Sequence, residues 1–206
     1  MPFDYPVFLK LEGVEVLVVG GGPVALRKAT ALAEAGALVT VIAPRVVDGF
    51  AAVAHCIERR RYSDGEAGTY QLVITATDDP AVNAQVAADG RDARVWVNSA
   101  DDPANCSFIL PAVARRGVIS VAVSTGGASP ALAGRIRREI ADRILTVEVE
   151  HAAVRLSGLR NEVRAAGGST ELVDWSSEVD APFKRQPSVS DASTEVDNLD
   201  QGHATG

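Results

Sequence analysis

The sequence predicts an α/β protein with a doubly wound parallel sheet, a small α+β domain after it and a helical segment at the C-terminal end. Short apolar runs of strand length alternate with stretches of helical periodicity over the first hundred residues. A run of three glycines, residues 20–22, separates the first strand from the first helix. Beyond residue 104 this alternation gives way to a hairpin pattern and then to helices.

The first strand and the turn after it carry the most specific signal. Residues 16–19 are four consecutive aliphatic residues, as is typical of a parallel strand buried on both faces. Gly20, Gly22 and Ala25 then match the G-x-G-x-x-G/A fingerprint of a Rossmann-like fold, in which helix N–H groups face a pyrophosphate. The turn therefore predicts a dinucleotide site, although glycine turns of this kind also occur in other α/β proteins.

The second strand, residues 38–42, lacks the acidic residue that usually follows it in NAD-binding folds. An Asp or Glu about 20 residues after the glycines normally accepts from the ribose 2′-hydroxyl. Here Ala43, Pro44 and Arg45 occupy that place. Arg45 could pair with a 2′-phosphate, or it could be a solvated loop charge. The residues alone leave the choice between NAD and NADP open.

Three further strands complete the predicted sheet, at residues 56–62, 70–76 and 95–98, with a helix at 46–54 before the first of them. We interpret the arginines within 56–62 as a solvated face of an edge strand. The fourth strand ends at Thr77, Asp78 and Asp79, beside the crevice in which such sheets bind ligands. Helix capping before Pro80 accounts for one of the two aspartates.

The second half of the chain has a different organisation. Residues 107–111 and 118–123 predict an antiparallel hairpin, and a second glycine loop follows it. Ser129 and Pro130 then predict the start of a helix that runs to about residue 145, either as a carboxylate site or as an ordinary capped helix. The predicted divisions are a dinucleotide-binding domain at 1–104, a dimerisation and substrate domain at 105–145, a helical segment at 146–180 and a disordered tail at 181–206.

Composition limits the classes of function. The chain has 206 residues, is 47% apolar and carries a formal charge of −7, which argues against nucleic-acid binding. It has no signal pattern and no apolar run near 18 residues, so we expect a cytoplasmic protein without a membrane partner. Its two cysteines and three histidines have no metal-ligand spacing, and we predict no bound metal.

A set of motifs in a fixed order carries a family resemblance. The motifs are residues 5–13, the glycine run continued to residue 29, 76–79, 97–98, Asp101, 107–111 and Ser-Thr-Gly-Gly-x-Ser-Pro at 124–130. Together, over about residues 3–145, they resemble precorrin-2 dehydrogenase, the module of sirohaem synthase that in several members is also sirohydrochlorin ferrochelatase.

The resemblance implies NAD-dependent oxidation of precorrin-2 to sirohydrochlorin in sirohaem biosynthesis. In bifunctional members ferrous iron is then inserted, as a substrate and not as a resident metal. It also implies a homodimer that binds the tetrapyrrole next to the nicotinamide. The family's functional aspartate matches Asp101, which could accept the proton that must leave with the hydride. Asp102 is interpreted as a structural residue that turns the chain with Pro103.

The remaining predicted contacts fall into two groups. Coenzyme contacts are expected from Gly20, Gly21, Gly22, Pro23, Val24, Pro44, Arg45, Thr77 and Asp78. Contacts to the substrate carboxylates are expected from Arg115, Arg116, Ser124, Thr125, Gly126, Gly127 and Ser129. Each arginine could equally be plain surface charge. The alternative functions for this chain are a dehydrogenase without chelatase activity and a non-catalytic nucleotide-sensing module.

Overall fold

The computed structural model describes residues 4–184. The chain divides into two compact units, and the boundary lies between Leu110 and Pro111. The first unit extends past residue 104 because the returning chain bonds to the last strand of the sheet. The Ser107 N–H donates to the Val97 carbonyl at 2.8 Å, and Phe108 packs against the core.

The first unit contains a five-stranded parallel sheet in the order β3-β2-β1-β4-β5. The strands are β1 (Glu15–Val19), β2 (Leu38–Ile42), β3 (Cys56–Glu58), β4 (Leu72–Thr75) and β5 (Trp96–Ser99). The order reverses between β1 and β4. A crevice opens at such a switch point, outside the carboxyl ends of the strands, where ligands bind in open α/β sheets.

Both faces of β1 are buried, as its unbroken apolar sequence predicts. Val16 and Val18 belong to one hydrophobic cluster together with α1 (Pro23–Glu34). Leu17 and Val19 belong to the opposite cluster, together with α2 (Pro80–Ala93). The alternation of β1 side chains between two helical layers confirms the doubly wound architecture.

Two predictions between β2 and β4 are wrong. The predicted helix at 46–54 is only a 3₁₀ turn at Phe50–Ala52, preceded by Gly49 with φ of +106°. The Val47 N–H donates instead to the Gly21 carbonyl at 2.8 Å, which ties this segment to the glycine turn. The third strand is also shorter than residues 56–62, because the chain leaves the sheet after Glu58.

The second unit opens with an antiparallel hairpin of β6 (Ala112–Arg116) and β7 (Ile119–Val123). The predicted first strand at 107–111 is therefore wrong in position, since that segment bonds to β5 in the first unit. Gly117, with φ of +51°, forms part of the turn. The helices are α3 (Pro130–Arg143), which packs against the hairpin, α4 (Val147–Ala165) and α5 (Ser176–Asp180).

Within the segment predicted to be helical, Thr146 caps α4 by accepting from the Val149 N–H at 3.4 Å. Of the predicted tail at 181–206, residues Ala181–Phe183 form a 3₁₀ turn, and 185–206 lie outside the described residues. Within residues 4–184, no helix has the length and apolar character needed to cross a bilayer.

Candidate functional site

A cavity of about 890 Å³ lies at the carboxyl ends of the strands in the first unit. Its volume is within the usual range for small-molecule and coenzyme sites. The cavity brings together all nine predicted coenzyme residues and the predicted catalytic aspartate. These are Gly20, Gly21, Gly22, Pro23, Val24, Pro44, Arg45, Thr77, Asp78 and Asp101.

Two of the three glycines are required by neighbouring backbone. Gly20 has φ of +128°, and a Cβ at this position would overlap the carbonyl of Ala76 after β4. A Cβ at Gly21 would overlap the carbonyl of Arg45 after β2. The turn is thus wedged between the loops that follow β2 and β4, and any side chain here would force those loops apart.

Gly22 is different, because nothing in the protein itself requires a glycine there. Its φ of −84° suits any residue, and no heavy atom of the described chain other than those of its neighbours in sequence lies within 4 Å of a Cβ built on it. It is also the N-cap of α1, and within residues 4–184 no side chain caps this helix. The open space beside Gly22 and the uncapped helix N-terminus fit the pyrophosphate of a dinucleotide.

The loop after β4 is held by Asn83, a buried residue of α2 that the sequence analysis did not single out. Its side-chain oxygen accepts from the Thr75 hydroxyl at 2.5 Å, from the Thr77 hydroxyl at 2.8 Å and from the Thr77 N–H at 3.3 Å. Its side-chain NH₂ group donates to the Thr77 carbonyl at 3.1 Å. The sequence signal that could have identified Asn83 is its position as a polar residue on the apolar face of the predicted helix.

The two aspartates of this loop have separate roles. Asp79 is the N-cap of α2, and its carboxylate accepts from the Ala81 N–H at 3.0 Å. This confirms that helix capping accounts for one of the pair. Asp78 is exposed at the rim of the cavity, where it remains available to a ligand.

Asp101 lies in the turn after β5 and has φ of +60°. This left-handed conformation is uncommon for a residue with a side chain, although aspartate tolerates it better than most. Asp102 accepts from the side-chain NH₂ of Asn105 at 2.7 Å, as a turn-forming residue would. Burial and then the charge of Arg27 lower the pKa of half-buried Lys28 on α1, while the charge of Asp101 acts in the opposite direction.

The arginines after β3 do not form a uniform solvated face. Arg60 donates to the carboxylates of Glu58 and Glu66, and these ion pairs anchor the chain as it leaves the strand. Arg61 and Tyr62 line the cavity. Arg61 and Tyr62 follow the carboxyl end of a strand, where ligands bind in such sheets. This position could have identified them as cavity residues from the sequence.

The predicted substrate residues lie in the second unit. Arg115 and Arg116 are on β6, with the Arg116 guanidinium 3.7 Å from the Glu150 carboxylate of α4. The loop before α3 is internally bonded: the Thr125 hydroxyl accepts from the Ser129 N–H and donates to the Ser129 carbonyl, both at 3.1 Å. Ser129 is the N-cap of α3, as predicted. The other predicted substrate residues of this loop are Ser124, Gly126 and Gly127, and both glycines have positive φ.

In the part of the chain that the structure describes, no three or more His, Cys, Asp or Glu side chains cluster where they could bind a metal ion.

Comparison with protein families identifies the class of protein. Residues 7–112 match the family described as putative NAD(P)-binding, and residues 116–143 match the family described as sirohaem biosynthesis protein central. Because the first match covers more than half of the chain, and because the glycine turn and cavity fit a dinucleotide, the chain is an NAD(P)-binding protein of the Rossmann type.

Individual relatives narrow the family further. The chain is 47% identical over 156 residues to siroheme synthase of Pseudomonas putida (strain W619), covering 73% of this chain and 34% of that protein. It is 43% identical over 165 residues to siroheme synthase of Tolumonas auensis, covering 78% and 35%. The chain thus spans about a third of the length of these relatives. The solved structure of SirC, precorrin-2 dehydrogenase, aligns with a TM-score of 0.65 and 28% identity, over 87% of this chain and 88% of SirC.

These findings confirm the resemblance that the ordered motifs indicate. The chain belongs to the family of the precorrin-2 dehydrogenase module at the N-terminal end of siroheme synthases.

Proposed function

We propose that this chain oxidises precorrin-2 to sirohydrochlorin with NAD as the hydride acceptor. The observation that carries the proposal is that the glycine turn and Asp101 line the same cavity. Similarity to siroheme synthases and to a precorrin-2 dehydrogenase supports the choice of substrate. A nucleotide-sensing module would need the cavity but would give no role to a carboxylate at the end of β5.

The proposed role of each residue in the reaction follows from its position. A bound nicotinamide coenzyme would supply the acceptor for the hydride that leaves the reduced macrocycle. Gly22 and the first turn of α1 bind the pyrophosphate through backbone N–H groups. Thr77, fixed by Asn83, forms one wall of the cavity. Asp101 accepts the proton that the macrocycle loses with the hydride, so that charge on the product does not build up.

The preference for NAD over NADP is part of the same proposal. It rests on the family, whose members use NAD without an acidic residue after β2. The exposed guanidiniums of Arg45 and Arg61 both line the cavity, and they are the groups that a 2′-phosphate would contact. Comparing kcat/KM for NAD and NADP tests the choice, and a higher value for NADP would overturn it.

Substrate binding is proposed for the second unit. Precorrin-2 is a polycarboxylate, and the net charge of −7 means that local cations must attract it. Arg115, Arg116 and the loop at 124–129 offer guanidinium and backbone N–H donors for carboxylates.

Homodimerisation and a cytoplasmic location complete the proposal. Leu132, Ile136 and Ile144 are apolar residues on and just after α3 that remain partly exposed in the single chain, and a second copy is the partner that the family implies. Sedimentation measurements test the dimer. The cytoplasmic location remains a prediction.

One anaerobic experiment tests the reaction. The full chain is supplied with precorrin-2 and either NAD or NADP, and formation of sirohydrochlorin is followed by its absorption spectrum. Absence of a spectral change with both coenzymes would reject the dehydrogenase. Ferrous or cobaltous ion added afterwards tests the predicted chelatase activity, and oxidation without metal insertion would favour a monofunctional enzyme.

A further inference from the structure

The thiol of Cys106 lies at the centre of the turn that carries Asp101. Cys106 follows the 3₁₀ turn Pro103–Asn105 and is half-buried. Its Sγ accepts from the Ser99 N–H at 3.2 Å and is 3.2 Å from the Ser99 carbonyl oxygen. It is also 3.4 Å from the Asp102 carbonyl oxygen. One sulfur atom therefore contacts backbone on both sides of Asp101.

The anchor points on either side of Asp101 are themselves fixed. Ser99 is 2% exposed, so water cannot readily replace the partner that the thiol provides. The Ala100 N–H donates to the Thr75 carbonyl at 2.8 Å, which ties the start of the turn to β4. The Asp102 N–H donates to the Ser99 carbonyl at 3.3 Å, which closes the turn.

The residue that follows Cys106 attaches the returning chain to the outer edge of β5. The Ser107 hydroxyl accepts from the Val97 N–H at 2.7 Å and lies 3.1 Å from the Val97 carbonyl. These bonds hold Cys106 next to Ser99 and also cover the unpaired edge of the sheet. The position of the sulfur is thus set by the sheet, and the sulfur contacts the residues on either side of the segment that contains Asp101.

We propose that Cys106 is a positioning residue for Asp101: its thiol holds the turn in the left-handed conformation that places the carboxylate at the coenzyme cavity. This role for Cys106 rests on the proposed function, because it assumes that Asp101 acts in the reaction. The thiol takes no part in proton or hydride transfer. Contacts of 3.2–3.4 Å suit a sulfur atom. A serine hydroxyl reaches less far but has the same donor and acceptor, whereas alanine has neither.

The first test compares three variants of the full chain. We expect Cys106→Ala to lower kcat by about tenfold or more, because small displacements of a reacting group have effects of this size. Affinity for NAD should stay within about twofold, since the glycine turn is untouched, and Cys106→Ser should recover most of kcat. Cys56→Ala is the matched control, because Cys56 is an exposed cysteine on β3, and it should behave as the wild type. Equal kcat in Cys106→Ala and the wild type would overturn the proposal.

A double-mutant cycle separates positioning from general stability. In an Asp101→Asn background, Cys106→Ala should lower the remaining rate by less than about twofold, because its effect passes through the carboxylate. If it lowers that rate by the same factor as in the wild type, Cys106 acts independently of Asp101 and the proposal is wrong.

Amide hydrogen exchange tests the same idea without any turnover, so it remains decisive if the proposed reaction fails. Exchange of the Ser99 and Asp102 amides should accelerate by about tenfold in Cys106→Ala and stay unchanged in Cys56→Ala. Unchanged exchange at both amides would show that the thiol does not hold the turn. Inactive wild-type protein with accelerated exchange in Cys106→Ala would instead reject the proposed function and leave the structural role of Cys106 supported.

Discussion

Alanine substitutions at Gly20 and Gly22 should affect different properties, although the two glycines are only two residues apart: stability at Gly20 and coenzyme affinity at Gly22. At Gly20, alanine must adopt a φ of +128° and its methyl group would overlap the Ala76 carbonyl. The backbone strain alone costs about 1–3 kcal/mol, and relieving the overlap adds a further ~1–3 kcal/mol. We therefore expect Gly20→Ala to lose about 2–6 kcal/mol of unfolding free energy.

At Gly22 the same substitution meets no backbone strain, and within residues 4–184 no atom beyond its neighbours in sequence lies within 4 Å of the added methyl group. The weaker N-cap costs about 1 kcal/mol, and the reduced freedom of the unfolded chain offsets about 0.4–1 kcal/mol of this. The stability of Gly22→Ala should stay within about 1 kcal/mol of the wild type. Its methyl group would occupy the approach to the pyrophosphate, so the Kd for NAD should rise at least tenfold, or about 1.4 kcal/mol.

Urea unfolding and NAD titration by fluorescence measure the two quantities separately on the same samples. Wild-type affinity in Gly22→Ala would mean that the pyrophosphate does not approach this residue, and the cavity would then need another interpretation. A large loss of stability in Gly22→Ala would contradict the open space that the structure shows around it.

Three further predictions concern the surroundings of the cavity. Asp101→Asn should bind NAD with unchanged affinity but lose most of its kcat in the anaerobic assay, and normal turnover would remove Asp101 from the mechanism. Asn83→Ala should lower the unfolding free energy by about 1–3 kcal/mol, since buried donors such as the Thr75 hydroxyl lose their acceptor; an unchanged urea midpoint would refute this. The Arg60 guanidinium, above all by its hydrogen bond, lowers the pKa of Glu66 from its usual 4.5. The stability from this pair is therefore present above about pH 4.5 and is lost as the pH falls through the lower folded pKa. Glu66→Gln should cost less than about 1 kcal/mol at pH 7, and this cost should shrink as the pH falls below about 4.5. A cost that grows in acid would contradict the sign.

Features that depend on neighbouring residues along the chain agree with their prediction from sequence. The buried strands β1 and β2, the glycine turn, and the helix starts at Pro80 and Pro130 appear where the pattern indicates them. Each is determined by a few consecutive side chains, such as an unbroken aliphatic run or a capping residue before proline. The order of motifs was also sufficient to identify the family.

Features that depend on partners far along the chain could not be predicted in the same way. The segment at 46–54 has a helical pattern, but Val47 bonds to Gly21 and Phe50 enters the core, so no helix forms. Arg61 looked like a surface charge, and only the sheet order places it at the cavity.

The sequence by itself determined the doubly wound sheet and the dinucleotide turn, because periodicity, glycine and capping residues constrain the backbone locally. The expectation that Asp101 acts came from the family resemblance. Only the tertiary structure showed that the protein's own packing requires glycine at Gly20 and Gly21 but not at Gly22, because the loops after β4 and β2 pack against the first two. It also revealed that Asn83 holds the loop after β4 and that Cys106 flanks Asp101. These contacts join groups whose proximity arises only when the sheet has formed.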